Sequence, residues 1–162
     1  EQIGRRFSKM GSKSDFEELD LSERIEKIVT YLTKRLPSIG KKVELVNDIQ
    51  PGISITANGS LLAWSIENII RNGVDAIDRK NGKVSVSLRQ KSDGIKIRVH
   101  DNGKGIPKKD WRNIFRPGFS TKQAGWGLGL SLSSRIVEEM HDGSLQVVES
   151  SPENGTIIEI GL

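Results

Sequence analysis

The stretch Asp101-Asn102-Gly103-Lys104-Gly105-Ile106-Pro107 follows a segment, residues 95–99, in which apolar and polar residues alternate. Such alternation predicts a strand with one buried face. An Asp-Asn-Gly sequence by itself is typical of a tight turn between strands, but a helix-like stretch, and not a returning strand, follows Pro107. A carboxylate at a strand end can accept a hydrogen bond from an exocyclic amine of a base, and glycines let a ligand approach the backbone. We therefore regard Asp101 as a candidate binding residue.

Further strands are predicted on both sides of this stretch. Residues 84–88 also alternate, and a turn at residues 92–94 joins them to residues 95–99, which predicts an antiparallel hairpin. The remaining strand candidates are residues 42–47, 53–55, 145–149 and 156–160.

Apolar residues at helical spacing predict helices at residues 20–36, 58–78 and 128–140. Strands joined by hairpins, with helices between them, indicate an α+β fold. We expect a two-layer α/β sandwich with a mixed, mostly antiparallel sheet and the helices on one face. Residues 1–18 lack sustained periodicity, so we predict a linker or the end of a preceding element there and one domain over residues 19–162.

Composition excludes several classes of protein. The 162 residues, 35% hydrophobic and 28% charged, suit a single domain. The absence of cysteine excludes disulfides, Cys-ligated zinc and thiol redox chemistry. No apolar stretch approaches the roughly 20 residues of a membrane span, and the chain starts at Glu1 without an initiator Met, so we expect a fragment of a longer protein. The net charge of +4 is scattered and aromatic residues make up 5%, so no nucleic-acid partner is expected.

A second candidate motif lies on the helix predicted at residues 58–78. Asn68, Asn72 and Asp75 have i, i+4, i+7 spacing, which aligns their side chains on one side of a helix. Amide oxygens can ligate Mg²⁺, which keeps several waters while it bridges to substrate phosphates. An ordinary solvent-facing polar stripe would show the same spacing. Gly73 favours the binding interpretation, because glycine costs a helix about 1 kcal/mol relative to alanine and often marks a close approach.

Two more motifs follow in the poorly periodic region after Pro107. The first is Ile114-Phe115-Arg116-Pro117-Gly118-Phe119-Ser120-Thr121-Lys122, in which the aromatic residues would anchor a loop while Thr121 and Lys122 could reach a phosphate. The second is Gly125-Trp126-Gly127-Leu128-Gly129-Leu130, where a helix N-terminus would favour an anion. It differs from the dinucleotide pattern G-x-G-x-x-G because Leu130 replaces the third glycine, and the chain contains no G-x-x-x-x-G-K-[ST] phosphate loop.

In this order, the four motifs resemble those of the GHKL superfamily of gyrase-like, chaperone-like and histidine-kinase ATP-binding domains. The resemblance covers residues 20–162 and implies the Bergerat fold. Residues 68–75 look like the N box, 101–107 the first glycine box, 114–122 the phenylalanine box and 125–143 the second glycine box. Sensor histidine kinases fit best: the other members have a catalytic Glu four residues before the metal-binding Asn, whereas this chain has Asn68 there. Glu67 is about 100° away around the helix, so we expect slow hydrolysis.

The resemblance also implies roles for individual residues, with ATP and Mg²⁺ as cofactors. Asn72 would bind Mg²⁺, Asn68 would support that site, Asp101 would accept the adenine amine, and Lys122 in the lid would contact the γ-phosphate. Asn68 and Lys122 would be the catalytic residues. The remaining nucleotide-binding positions would be Asp75, Thr121 and Leu128, the hinge residues Gly103 and Gly105 with Ile106, and the phosphate-contacting Gly125, Gly127 and Gly129. Asp75 and Gly73 depart from the Lys or Arg and the Ala that are usual in the family.

The resemblance implies phosphotransfer to a histidine that this chain lacks, because neither His100 nor His141 lies in a two-helix segment with acceptor-like surroundings. The acceptor would be on a preceding dimerisation domain, through which the full-length protein forms a homodimer, and a response regulator receiver domain would take the phosphoryl group. We expect a cytoplasmic domain, with a membrane-spanning inner-membrane sensor as one possible parent. The alternatives are a nucleotide-binding regulatory module of a degenerate kinase, a serine kinase of the anti-sigma-factor type and a DNA-associated ATPase.

Overall fold

The computed structural model describes residues 15–119 and 129–162. Three α-helices and seven strands alternate along these residues. Their order is β1 Glu17–Asp20, α1 Leu21–Arg35, β2 Val43–Ile49, β3 Ser54–Ala57, α2 Gly59–Asp75, β4 Gly82–Lys91, β5 Gly94–Asp101, α3 Gly129–Arg135, β6 Ser144–Ser151 and β7 Gly155–Gly161. Short 3₁₀ turns cover Pro37–Ile39, Lys108–Asp110 and Asn113–Phe115, and α3 continues into a π-helical turn, Ile136–Met140.

Five of the strands form one sheet in the order β2-β4-β5-β7-β6. β2 and β4 are parallel, because α2 crosses between them, and all other neighbours in this sheet are antiparallel. β1 and β3 form a separate antiparallel pair. The prediction of a mixed, mostly antiparallel sheet is therefore confirmed.

The sheet and the helices form two layers around one core. Val84, Val86 and Leu88 of β4 are fully buried, and their partners in β5 include Val99 and Ile97. These side chains pack with the buried stripes of α1 and α2 in a single hydrophobic cluster. The intervening positions of β4 and β5, Ser85, Ser87, Lys96, Arg98 and His100, are polar and at least partly exposed. This alternation places the helices on one face, as predicted.

Side-chain caps set the start of both long helices. The Asp20 carboxylate accepts a hydrogen bond from the Glu23 backbone N–H at 2.9 Å, and Asn58 Oδ1 accepts one from the Leu61 N–H at 3.1 Å. The predicted end of α2 at residue 78 was wrong, since the helix stops at Asp75. Ala76 turns its carbonyl to the loop after β5, where the Lys104 N–H donates to it at 3.1 Å.

β1 includes Glu17 and Glu18, which the sequence assigned to the linker. The strand is only four residues long and mostly exposed, so it lacks the apolar alternation by which strands are recognised. It forms because residues 17–20 pair with residues 54–57. The domain boundary at residue 19 stays a prediction. Among the described residues, no helix is both long and apolar enough to cross a membrane.

Candidate functional site

A cavity of about 140 Å³ lies where α2, the end of β5, the following loop and β7 meet. Four of the predicted site residues line it: Asn72, Asp101, Gly105 and Ile106. Most of its wall is apolar, formed by Ile69, Val99, Ile114, Phe119, Leu130 and Ile158 together with Ile106. An apolar cavity with a few convergent polar groups is the usual form of a small-molecule site.

Asp101 is the last residue of β5 and is only 5% exposed. Its Oδ1 accepts a hydrogen bond from the Gly103 backbone N–H at 2.8 Å, and the Thr156 backbone N–H also donates to the carboxylate. Burial raises the pKa of this carboxyl above its ordinary value of 3.8, while those two hydrogen bonds and His100 act in the opposite direction. A carboxylate has about four lone-pair positions, so two donors leave room for a ligand donor.

Two glycines of the segment 101–107, Gly103 and Gly105, allow backbone segments to pass close to one another. A Cβ at Gly103 would lie 2.5 Å from the Ala76 carbonyl oxygen. Gly105 has φ +80°, and a Cβ there would lie 2.7 Å from the Ser151 carbonyl oxygen. These residues shape the loop below the cavity. Their predicted action as hinges stays a prediction.

Two hydrogen bonds hold Ile106 at the cavity wall. Its N–H donates to Ser150 Oγ at 2.7 Å, and its carbonyl accepts from Trp111 Nε1 at 3.0 Å. Ser150 Oγ also lies 2.7 Å from Thr156 Oγ1. Thr156 and Ser150 were not among the predicted site residues. The only available signal was a hydroxyl residue at the start of the apolar strand 156–160.

Asn72 lines the cavity from α2, and its Nδ2 donates to the Asn68 carbonyl oxygen at 2.9 Å. The amide oxygen is therefore the atom of Asn72 that can offer a lone pair to a cation. Within the described residues, no cluster of three or more His, Asp or Glu side chains could hold a metal ion. A single amide oxygen fits Mg²⁺, which takes most of its ligands from water and from substrate phosphates.

The Asn68 side chain contacts the start of α3 instead of the cavity. Its Nδ2 donates to Ser133 Oγ at 3.3 Å. A Cβ at Gly129 would lie 2.8 Å from both Asn68 Nδ2 and Oδ1, so the helix start and the amide are in close contact. Asn68 thus joins α2 to α3.

The structure does not bring Asp75 to the cavity. Its carboxylate lies 3.7 Å from Lys41 Nζ, in a separate groove between α1 and α2. Glu67 forms an ion pair with Arg71 at 2.9 Å and does not line the cavity either. Thr121, Lys122, Gly125, Gly127 and Leu128 lie outside the described residues, so their roles stay predictions.

Comparison with known proteins is consistent with this geometry. The family described as "Histidine kinase-, DNA gyrase B-, and HSP90-like ATPase" matches residues 58–162. Sporulation kinase C of Bacillus subtilis is 31% identical over 147 residues, which are 91% of this chain and 34% of that protein. Sensor histidine kinase ZraS of Klebsiella oxytoca is 34% identical over 144 residues, 88% of this chain and 30% of that protein.

Among solved structures, a mycobacterial sensor histidine kinase, MprB, superposes with a TM-score of 0.77 at 25% identity, covering 91% of this chain and 96% of that chain. The chain spans about a third of the length of the two curated kinases that it matches. The chain belongs to the histidine kinase-, DNA gyrase B- and HSP90-like ATPase family and carries the GHKL ATP-binding domain of a histidine kinase.

Proposed function

We propose that this domain binds Mg-ATP and transfers the γ-phosphoryl group to a histidine on a dimerisation domain outside this chain, in two-component signal transduction. The observation that carries the proposal is the buried Asp101 carboxylate in an apolar-walled cavity that Asn72 also lines. One end of such a cavity suits a base, and the other suits phosphates with their cation.

The position of Asp101 suits adenine. The 6-amino group of adenine is a donor that can satisfy a buried carboxylate, and apolar walls can cover the faces of the ring. An unpaired buried polar group costs roughly 1 to 3 kcal/mol, more when it is charged, so the carboxylate requires a donor from the base. An orientation that placed the 6-oxo group of guanine there would leave two acceptors facing each other.

The phosphate end of the proposed site depends on Asn72. Mg²⁺, when bound, would neutralise charge on the β- and γ-phosphates. Asn72 contributes an amide oxygen, and the bond from its Nδ2 to the Asn68 carbonyl fixes the direction of that oxygen. Lys122 is proposed to contact the γ-phosphate. Phosphoryl transfer asks little covalent chemistry of the protein, so positioning and charge stabilisation account for catalysis.

The arrangement of acidic groups supports transfer over hydrolysis. Among the described residues that line the cavity, Asp101 is the only carboxylate. It lies at the proposed base end, where it cannot activate a water against the γ-phosphate. The Glu67 carboxylate forms an ion pair with Arg71. Because none of the described carboxylates is placed as a general base, ATP persists in the site until an acceptor histidine arrives.

The proposed partners follow from this chemistry. The acceptor histidine belongs to the protein's own dimerisation domain, which also makes the full-length protein a homodimer, and a response regulator receiver domain accepts the phosphoryl group in turn. The domain works in the cytoplasm. These partners lie outside this chain, which spans about a third of its relatives.

Equilibrium titration with ATP, in Mg²⁺ and in EDTA, tests nucleotide binding and the metal role together. The wild-type domain is expected to bind ATP more tightly with Mg²⁺. Asn72→Asp is expected to change this Mg²⁺ dependence while ADP binding in EDTA is retained. Asn47→Asp, the same change at an exposed position of β2, is the matched control. A normal Mg²⁺ response in Asn72→Asp removes the metal assignment, and absence of ATP binding to the wild type refutes the proposed function.

A further inference from the structure

A groove of about 710 Å³ lies between residues 108–116, the helix α3 with its π-helical turn, and the strand β6. It is separate from the nucleotide cavity, since no described residue lines both. Ile106 and Ile114 line the cavity, whereas Trp111 and Phe115 line the groove. The chain from residue 106 to residue 116 is therefore a wall between two sites, and the groove is not an extension of the cavity.

The rim of the groove is cationic. Its four exposed basic side chains are Lys108, Lys109, Arg112 and Arg116. Within the part of the chain that the structure describes, none of the four forms an ion pair. Like charges on so short a segment repel one another, so an anionic partner is attracted to the rim and relieves the repulsion.

The two acids near the rim have other hydrogen-bond partners. Asp110, the only acid among residues 108–116, accepts a hydrogen bond at its Oδ1 from Asn113 Nδ2 at 3.3 Å. Glu138 lines the groove from the π-helical turn, and its Oε1 accepts a hydrogen bond from Ser134 Oγ at 3.3 Å. The described residues therefore leave the charge of the rim uncompensated.

The base of the groove is apolar. Leu145 and Val147 of β6 line it and are 5% and 7% exposed, and the half-buried rings of Trp111 and Phe115 line it as well. Lys108 Nζ lies 5.8 Å from the centroid of the Trp111 ring, so the cation covers one face of the ring. An apolar centre within a charged rim is the usual form of a protein–protein interface, where Trp and Arg contribute most to affinity.

We propose that this groove is the docking site for an acidic segment of a partner protein, with a large apolar side chain between its carboxylates. The apolar side chain contacts the base of the groove, and the carboxylates contact the rim. A nucleic acid fits less well, because its bases need free aromatic faces and Lys108 covers the Trp111 ring. A membrane surface is flat and cannot reach apolar residues at the base of a groove. The inference is independent of the proposed nucleotide function.

The test measures peptide binding by fluorescence anisotropy at low salt. The probe is a fluorescein-labelled peptide of glutamates with one central leucine, and the comparison peptide has glycine in place of the leucine. The wild-type domain is expected to bind the leucine peptide roughly three- to tenfold more tightly than the glycine peptide, because the leucine is buried at the base of the groove. Equal binding of the two peptides would show attraction by charge alone and overturn the docking site.

Charge reversal locates the binding surface. The double variant Lys109→Glu with Arg112→Glu is expected to bind the leucine peptide at least roughly tenfold more weakly. The matched control is Lys42→Glu with Lys91→Glu, which makes the same change of net charge at exposed positions beside β2 and at the end of β4. This control should bind within about twofold of the wild type. Equal losses in the two double variants would overturn the assignment to the groove.

Two further measurements complete the test. Urea unfolding checks that both double variants are folded. Should the reversal of Lys109 and Arg112 prevent folding, the neutral pair Lys109→Gln with Arg112→Gln replaces it, with a smaller loss of peptide binding expected in the same direction. A single-stranded oligonucleotide and vesicles of anionic lipid are titrated in parallel. If either binds more tightly than the leucine peptide and the reversal abolishes that binding, the protein partner is overturned in favour of that ligand.

Discussion

Asp101 has the surroundings of a recognition group and not of a surface acid. It is buried at a strand end, held by backbone donors, and it lines an apolar cavity. Asp101→Asn keeps an oxygen for the Gly103 N–H but loses the charge. We expect ATP affinity to fall ten- to a hundredfold, equivalent to about 1 to 3 kcal/mol. Calorimetric titration measures this change, with Asp93→Asn in the exposed hairpin turn as the control. Unchanged affinity would remove the adenine assignment.

The raised pKa of Asp101 predicts a pH dependence of stability. The folded state binds the proton more tightly than the unfolded state, whose carboxyl has the ordinary pKa of 3.8. The contribution of Asp101 to the free energy of unfolding is therefore fully present below 3.8 and is lost as the pH rises through the raised pKa. The Asp101→Asn variant does not titrate at this position, so it lacks this loss of stability at rising pH. In urea titrations over a pH series, the variant should gain stability relative to the wild type as the pH rises, and a pH-independent difference would contradict the explanation.

The same pKa shift bears on ligand binding. A protonated carboxyl is a poorer acceptor for the adenine amine than a carboxylate. We expect ATP affinity to decrease as the pH falls towards the raised pKa of Asp101. The dissociation constant of ATP, measured over a pH series for wild type and Asp101→Asn, tests this expectation. The pH dependence of the dissociation constant should be absent from Asp101→Asn. If the variant keeps the wild-type pH profile, another group causes the pH dependence.

At the level of single residues, the sequence predicted Asp101 and Asn72, which both line the cavity, because each lies in a short motif whose chemistry is local. It missed Thr156 and Ser150, because both come close to Asp101 only through strand pairing. Asp101 and Thr156 are more than fifty residues apart in the sequence. It also placed Asp75 in the site, from helical spacing and from the family resemblance. The helix presents that residue to Lys41 instead, because three residues beyond Asn72 the helix surface has turned away from the cavity.

Helix α2 carries an interior glycine that the packing does not require. A Cβ at Gly73 would lie 3.4 Å from the Asp101 Cβ, which is an ordinary van der Waals contact. Gly73→Ala should therefore stabilise the domain by about 0.5 to 1 kcal/mol through the helix propensity of alanine. Gly103→Ala should destabilise it by about 1 to 3 kcal/mol, because the Cβ would approach the Ala76 carbonyl oxygen. Urea unfolding measures both, and equal effects of the two changes would contradict this reading of the packing.

His141 joins the start of α2 to the end of the π-helical turn. The Asn58 N–H donates to Nε2 at 3.1 Å, so the ring hydrogen is on Nδ1, which donates to the Ile136 carbonyl at 2.8 Å. Phe16 stacks on the ring at a centroid distance of 4.9 Å. His141→Leu should cost about 1 to 3 kcal/mol of unfolding free energy, since it leaves both backbone groups without these bonds.

His100→Leu is the matched control for this change. His100 also bonds a backbone carbonyl, that of Asn154, but the bond is exposed to solvent. Its loss should shift the free energy of unfolding by no more than about 0.5 kcal/mol. If His141→Leu and His100→Leu lowered the free energy of unfolding equally in chemical denaturation, the proposed contribution of the His141 hydrogen bonds would be contradicted.

The order of elements followed from periodicity, while their ends depended on tertiary contacts. The strands of the sheet alternate in hydrophobicity because one of their faces is buried, so they could be predicted. β1 could not, because it is short and exposed and depends on β3. The π-helical turn Ile136–Met140 left no local signal either, since its residues fit a helix of ordinary pitch.

On the scale of the whole molecule, the described carboxylates predict a domain that holds ATP with little hydrolysis. Glu67 is paired with Arg71, and Asp101 lies at the proposed base end of the cavity. Phosphate release by the isolated domain in saturating Mg-ATP should therefore stay near the background without protein, because none of the described carboxylates is positioned to activate water. Rapid turnover by this domain would instead favour the DNA-associated ATPase alternative.

Phosphotransfer is tested most directly with a longer form of the protein that includes the proposed dimerisation domain. It is incubated with Mg²⁺ and γ-labelled ATP, and acid-labile, base-stable label on the protein is scored. We predict that such label accumulates and that Asn72→Asp abolishes it. Acid-stable label would indicate a serine kinase, and the absence of label despite tight Mg-ATP binding would contradict phosphotransfer and identify a nucleotide-binding regulatory module.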